Sequence, residues 1–124
     1  MHYLWVAIGG IFGANARFLL SAWFAQRYGT RFPYGTFAIN LSGSFALGVF
    51  TTLIAERYDS NLTASLLIGT GFFGAYTTFS TFTFESLALL QQGELRAAAR
   101  YLFGSMALGI TGALLGISLT LAVV

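Results

Sequence analysis

The sequence predicts an all-α membrane protein with four transmembrane helices, on the basis of two observations. Of the 124 residues, 56% are hydrophobic and only 8% are charged, whereas a soluble domain carries about 25% charged residues. The apolar residues also fall into four runs, each near the length of about 20 residues that crosses a bilayer. We therefore expect a single transmembrane domain with helices at about 3–25, 34–55, 62–91 and 98–123.

The charged and reactive residues exclude several classes of function. A net charge of +2, from six basic and four acidic residues, gives too little basic surface for nucleic acid. The chain has no cysteine, which excludes disulfides and thiolate metal sites. The one histidine is His2, so a histidine-based metal or acid–base site is not expected either.

The first predicted helix carries an arginine, Arg17, about two-thirds of the way along it. An arginine near a helix end can extend its side chain to the membrane surface. Alternatively, Arg17 is a buried cation that stabilises an anion or caps the carbonyls at a helix C-terminus. The sequence leaves both interpretations open.

The second predicted helix starts after Pro33, whose fixed φ and missing N–H suit the beginning of a helix. Asn40 lies several residues inside it, with Ser42 and Ser44 close by. An intramembrane asparagine can hydrogen-bond a neighbouring helix. It can equally line a polar path, and the nearby serines favour that reading at least as strongly.

The third predicted helix contains the feature that points to a site. Thirty residues of continuous helix measure about 45 Å, against a hydrocarbon core of about 30 Å. Three glycines, ending at Gly74, precede five hydroxyl residues between Thr77 and Thr83. Glycine weakens a helix, and hydroxyls can bond the backbone groups that a break would free. Such a break at membrane depth needs protein or a watery cavity around it, so we predict a broken helix and an ion or substrate site there.

Aromatic rings and hydroxyls alternate in this run. Phe79 and Phe82 are three residues apart and share a helix face. Phenylalanines in a membrane core usually only pack, but ring edges carry positive potential and can face an anion. Their alternation with Ser80 and Thr81 places ring edges and donors together, as permeation of a strongly hydrated anion requires.

Glu85 ends the run and is expected at or near membrane depth, where carboxylates are usually functional. It could pair with Arg17, lie at the mouth of a pore, or couple transport to protons. On the fourth helix, Tyr101 and Ser105 are four residues apart and could present hydroxyls to the same channel.

Small residues four apart predict close helix packing within or between protomers. They are Gly9/Gly13, Ser44/Gly48, Ser105/Gly109 and Gly112/Gly116.

Four short-looped helices leave little room for a pore inside one protomer, which favours a homodimer. In an antiparallel pair, two broken helices meeting at a two-fold axis could satisfy each other's freed backbone groups, and a cation between facing carbonyls would offset their repulsion.

Membrane orientation follows from the arginines in the connections. Arg27 and Arg31 lie in the first connection, Arg57 in the second and Arg96 in the third. Arg100 is counted with the third connection, although it can also belong to the start of the fourth helix. The positive-inside rule favours a cytoplasmic position for the first and third connections and external termini.

Three motifs together resemble the Fluc, or CrcB, fluoride channel family. They are GGIFGANARF at 9–18, PYGTFAINLSG at 33–43 and GAYTTFSTFTFE at 74–85. The similarity covers all four spans by length and order, and the TTFSTF string is its most specific part. The usual GGFTTFSTF of the family reads GAYTTFSTF here, so Ala75 and Tyr76 replace glycine and phenylalanine.

The resemblance implies a dual-topology homodimer of antiparallel protomers with two fluoride pores at its interface. The protein would be a passive channel without catalytic residues that exports fluoride across a bacterial or archaeal plasma membrane, the inner membrane in a Gram-negative cell. Two alternatives stay open: a small dimeric transporter with Glu85 as its proton-coupling carboxylate, and a structural membrane subunit whose hydroxyls only hold helices together.

The resemblance also implies a role for individual residues. Phe79 and Phe82 would face the pore, Asn40 would donate a hydrogen bond in it, and backbone carbonyls of Gly74 and Thr77 from both protomers would hold a central structural Na⁺ that does not permeate. Further positions match the polar track and the charged groups of the family: Ser80, Thr81, Glu85 and Arg17. On the fourth helix the family's polar positions fall on Ser105 and Gly109, so a shorter polar track is expected there.

Overall fold

The computed structural model describes residues 1–124 and contains helices and no strand. Four helical stretches are long and apolar enough to cross a membrane. We refer to them as the first helix, the second helix, the third span and the fourth helix, and their bounds are His2–Tyr28, Tyr34–Arg57, Leu62–Gln91 and Leu95–Val123. The predicted all-helical, four-span architecture is therefore confirmed, and the chain is a multi-pass membrane protein.

The four stretches pack as two pairs. The first helix runs along the N-terminal part of the third span, and the second helix runs along the fourth. Only 15 of the 124 residues are buried within one chain. Most apolar side chains therefore face outward, where lipid or a second chain would cover them.

Glycines allow the close approach within each pair. Gly9 and Gly13 on the first helix are buried against the backbone of the third span, where an added Cβ would overlap main-chain atoms of Leu67 and Phe72. Gly48 on the second helix likewise lies against the backbone of the fourth. Between helices in lipid, close packing replaces the hydrophobic effect as the attractive force, as the small-residue pairs predicted.

The third span consists of two helical segments. The leading segment, 62–76, has single α-helical turns at its ends and a π-helix, Ser65–Phe73, between them. The trailing segment is an α-helix, Ser80–Gln91. Between them Thr77 is extended, with ψ 158°, and residues 77–79, which we call the link, lie outside both helices.

The π-helix is a feature that the sequence did not predict. It is wider than an α-helix, and such segments are rare and usually short. Gly71 lies in it, where an added Cβ would meet the carbonyl of Val6 and the Cα of Gly9. The wide coil is thus seated on the first helix through glycines on both sides.

Two glycines with positive φ mark the ends of helices. Gly29 ends the first helix with φ 77°, and Gly93 lies between the third span and the fourth helix with φ 76°. Glycine adopts this conformation without strain. The fourth helix begins at Leu95, before the predicted 98, so Arg96 and Arg100 lie in its first turns.

Candidate functional site

Asn40 holds the link with its whole amide group. Its Nδ2 donates to the carbonyl of Thr78 at 2.8 Å, and its Oδ1 accepts from the N–H of Thr78 at 2.9 Å. Both backbone groups of Thr78 are therefore satisfied by one side chain from the second helix. The interhelical hydrogen bond that the sequence allowed for Asn40 is present, and Asn40 also lines a cleft, described below.

Three of the five hydroxyls in the run form a cluster. The Thr78 hydroxyl donates to Thr81 Oγ1 at 3.1 Å and lies 3.4 Å from Ser80 Oγ. The same hydroxyl accepts from the N–H of Thr81 at 3.2 Å, which caps the trailing segment. The hydroxyls of Thr77 and Thr83 instead donate to carbonyls four residues earlier.

A cleft of about 350 Å³ lies between the second helix, the link and the fourth helix, and we call it the central cleft. Among the residues that line it are Asn40, Ser44, Thr78, Phe79, Phe82 and Ser105. The Ser105 hydroxyl is buried and has no hydrogen-bond partner. Buried polar atoms are nearly always paired, so the unpaired hydroxyl of Ser105 is an exception in this structure.

The two phenylalanines lie side by side in this cleft. The ring centroids of Phe79 and Phe82 are 6.0 Å apart, with their planes at 42°. Phe82 is partly buried and packs on Tyr101, with centroids 5.1 Å apart. Phe79 is 77% exposed, so one wall of the cleft is open in the single chain.

Glu85 joins three helices through its carboxylate. Thr36 of the second helix donates to Oε1 at 2.7 Å, and Tyr101 of the fourth helix donates to Oε2 at 3.2 Å. Glu85 and Arg17 are not brought together, since Arg17 Nη1 donates to the carbonyl of Thr77 at 3.4 Å. Arg17 therefore caps the C-terminal end of the leading segment, where a cation is favourable.

A second cleft of about 330 Å³ lies beside the first connection, and we call it the Arg31 cleft. Arg31 lines it together with Thr36, Thr81 and Glu85. The hydrogen bond from Thr78 to Thr81 joins a residue of the central cleft to a residue of the Arg31 cleft. The hydroxyl cluster thus forms a polar connection between the two clefts.

The expected cation site depends on backbone oxygens, because no group of three or more His, Cys, Asp or Glu residues is present. The N–H of Thr78, which would continue the helix onto the Gly74 carbonyl, is bonded to Asn40 instead. A Cβ added to Gly74 would meet no neighbouring helix or side chain within 4 Å. Carbonyl oxygens at a helix C-terminus suit a hard cation. The Gly74 carbonyl therefore fits the expected site, whereas the Thr77 carbonyl already accepts from Arg17.

The two departures from the family motif fit the local backbone. Ala75 and Tyr76 are helical and have negative φ, so neither position requires glycine. The added hydroxyl of Tyr76 shares a hydrogen bond with Ser42 Oγ at 2.9 Å. It therefore adds a polar contact between the second helix and the end of the leading segment, next to the one that Asn40 makes with the link.

Thr36 is a site residue to which the sequence assigned no role. It lies four residues before Asn40 in the second helix, so both side chains share a face. That spacing is the signal that could have identified it. The bond of Arg17 to Thr77 had no comparable signal, because it depends on how the first helix and third span cross.

Comparison with known proteins gives one family. A family model described as CrcB-like protein, Camphor Resistance (CrcB), matches residues 4–117. The chain is 50% identical over 116 residues to a protein of Acidobacterium capsulatum named fluoride-specific ion channel FluC, covering 94% of this chain and 93% of that relative. It is 46% identical over 116 residues to a protein of the same name from Roseiflexus sp., covering 94% of each.

Proposed function

The chain belongs to the CrcB family, and from this membership we propose that it is a fluoride channel through which fluoride leaves the cell down its electrochemical gradient. Its relatives are named as channels and not as enzymes, in agreement with the expectation of no catalytic residues. The observation that carries the proposal is the hydroxyl cluster of Thr78, Ser80 and Thr81, which connects two clefts beside a pair of phenylalanines.

Fluoride must exchange its water for donors that hold it only weakly, because an ion bound tightly at one site does not move on. The Asn40 amide has two N–H donors, and its bond to Thr78 uses one of them. The Ser105 hydroxyl, on a residue that lines the same cleft, has no hydrogen-bond partner. Ser80 and Thr81 continue the row of donors toward Glu85. Fluoride passing along this row meets several weak donors in succession.

The phenylalanines supply the second kind of contact. The edge of an aromatic ring carries partial positive charge, and Phe79 and Phe82 stand together in the central cleft. Ring edges attract a small anion without replacing its hydration by strong hydrogen bonds. Phe79 and Phe82 would thus stabilise fluoride while it passes between donors.

A single chain leaves this path open on one side. Phe79 is 77% exposed, so a second protomer is needed to seal the central cleft from lipid. In the proposed antiparallel homodimer, with two pores at the interface, the link of each protomer lies at mid-membrane. Facing carbonyls of Gly74 and Thr77 would hold the structural Na⁺, which offsets the repulsion between the two helix ends. The proposed location is a bacterial or archaeal plasma membrane, the inner membrane in a Gram-negative cell.

The test is anion efflux from liposomes that contain the purified protein, comparing fluoride with chloride. Phe79→Ile removes a ring from the central cleft. Phe84→Ile is the control, because Phe84 does not line this cleft and its side chain is similarly exposed, 73% against 77% for Phe79. We expect the wild type to show fluoride efflux without chloride efflux. The rate of fluoride efflux should fall about tenfold for Phe79→Ile, which corresponds to a barrier about 1.4 kcal/mol higher. It should not fall for Phe84→Ile. Equal effects of the two variants would contradict the assignment of these rings.

A further inference from the structure

The Arg31 cleft contains a charge that works against the proposed permeant ion. Glu85 lines it, and both carboxylate oxygens of Glu85 accept hydrogen bonds from neutral donors, Thr36 and Tyr101. These donors fix the position of the carboxylate without cancelling its charge. An anion that enters the hydroxyl cluster through this cleft therefore meets repulsion from Glu85.

Arg31 is the one basic residue among those that line the cleft, and Glu85 is the one acidic residue. Arg31 lies in the first connection, exposed, between Gly29 with its positive φ and Pro33 at the start of the second helix. None of the hydrogen bonds of Glu85 comes from Arg31. The guanidinium is thus available to act on ions in the cleft.

We infer that the Arg31 cleft is a mouth of the fluoride path and that Arg31 attracts fluoride into it, offsetting the Glu85 carboxylate. The inference rests on the proposed function and extends it to a residue outside the motifs that carried the family resemblance. Thr81 lines the cleft and is bonded to Thr78 of the central cleft. Fluoride gathered by Arg31 would therefore arrive at one end of the row of donors.

The effect is electrostatic, so it depends on ionic strength. A unit charge acting through water over about 8 Å changes the local concentration of an anion about twofold. The Debye length is about 30 Å at 0.01 M salt and about 3 Å at 1 M. The contribution of Arg31 should consequently be present at low ionic strength and absent at high ionic strength.

The experiment measures fluoride efflux from liposomes for the whole protein at about 0.01 M and about 1 M ionic strength. Arg31→Gln removes the charge and Arg31→Lys keeps it. Arg27→Gln is the matched control, because Arg27 is exposed near the same connection but does not line the cleft. We expect Arg31→Gln to lower efflux about twofold at low ionic strength only, and Arg31→Lys and Arg27→Gln to behave as the wild type.

Three results would overturn the inference: wild-type efflux for Arg31→Gln at low ionic strength, an equal loss at both ionic strengths, or the same loss for Arg27→Gln. In each of them wild-type fluoride efflux persists, so the proposed function stands. Absence of fluoride efflux from the folded wild type would instead remove the proposed function and the mouth with it.

Discussion

Replacement of Asn40 by alanine tests the role of this side chain as the anchor of the link. The change removes both hydrogen bonds to the backbone of Thr78, at 2.8 and 2.9 Å. Thr78 is 8% exposed, so little solvent is available to replace them. An unsatisfied buried polar group costs about 1–3 kcal/mol, and the free energy of unfolding should fall by about 2–6 kcal/mol for the two groups.

The assay is thermal unfolding of the purified protein in detergent, with Asn15→Ala as the control. Asn15 is also a helical asparagine, but its side chain is exposed and donates to the carbonyl of Ile11 in its own helix. Asn40→Asp is an intermediate case, because its carboxylate still accepts from the N–H of Thr78 and no longer donates to the carbonyl. We expect Asn40→Ala to be the least stable variant, Asn40→Asp to lie between, and Asn15→Ala to match the wild type. Equal stability of Asn40→Ala and Asn15→Ala would refute the reasoning.

Three further predictions concern packing, a hydrogen bond and coupling. Gly9→Ala adds a methyl group that overlaps the Leu67 carbonyl, whereas the Cβ of Gly10→Ala lies 4.0 Å from its nearest neighbour. Only Gly9→Ala should therefore reduce the yield of folded protein in size-exclusion chromatography. Equal yields of the two variants would contradict the close packing at Gly9. Tyr101→Phe loses the bond to Glu85 and keeps its ring, so its free energy of unfolding should fall by about 1–3 kcal/mol; an unchanged unfolding temperature would contradict this. Glu85→Gln should retain fluoride efflux. Loss of fluoride efflux in this variant, together with proton-driven uptake by the wild type, would favour the alternative of a proton-coupled transporter.

The fold was predictable to the extent that lipid dictates it. A helix that crosses a bilayer needs about 20 apolar residues, so four apolar runs predict four spans. Small residues four apart predicted where helices approach closely, and Gly9 and Gly13 do lie against the third span. These features depend on neighbours in sequence, which periodicity and length can reveal.

The remaining features depend on which helices meet. Residues 65–73 form a π-helix, although their composition alone is equally compatible with an α-helix. Within the π-helix, Gly71 lies so close to Val6 and Gly9 of the first helix that an added Cβ would overlap them, a proximity that the sequence does not reveal. The bond of Arg17 to Thr77 likewise requires knowledge of how the first helix and third span are placed.

The candidate site, like the fold, was predictable from the sequence only in part. The sequence identified Asn40, the hydroxyl run and the two phenylalanines as site residues, because polar groups in an apolar span need partners. It did not identify the atoms they bond. In the structure Asn40 hydrogen-bonds the backbone of Thr78, and Thr36 hydrogen-bonds Glu85. The two residues of each pair lie on different helices and are far apart in sequence.

The measurement that tests the proposed function most directly is the reversal potential of the current across a bilayer containing the purified protein. A passive fluoride channel should carry current that reverses at the fluoride equilibrium potential, whatever the proton or chloride gradient. A reversal potential that moves with the pH gradient would contradict passive permeation and favour proton coupling. One that follows the chloride gradient would contradict selectivity for fluoride.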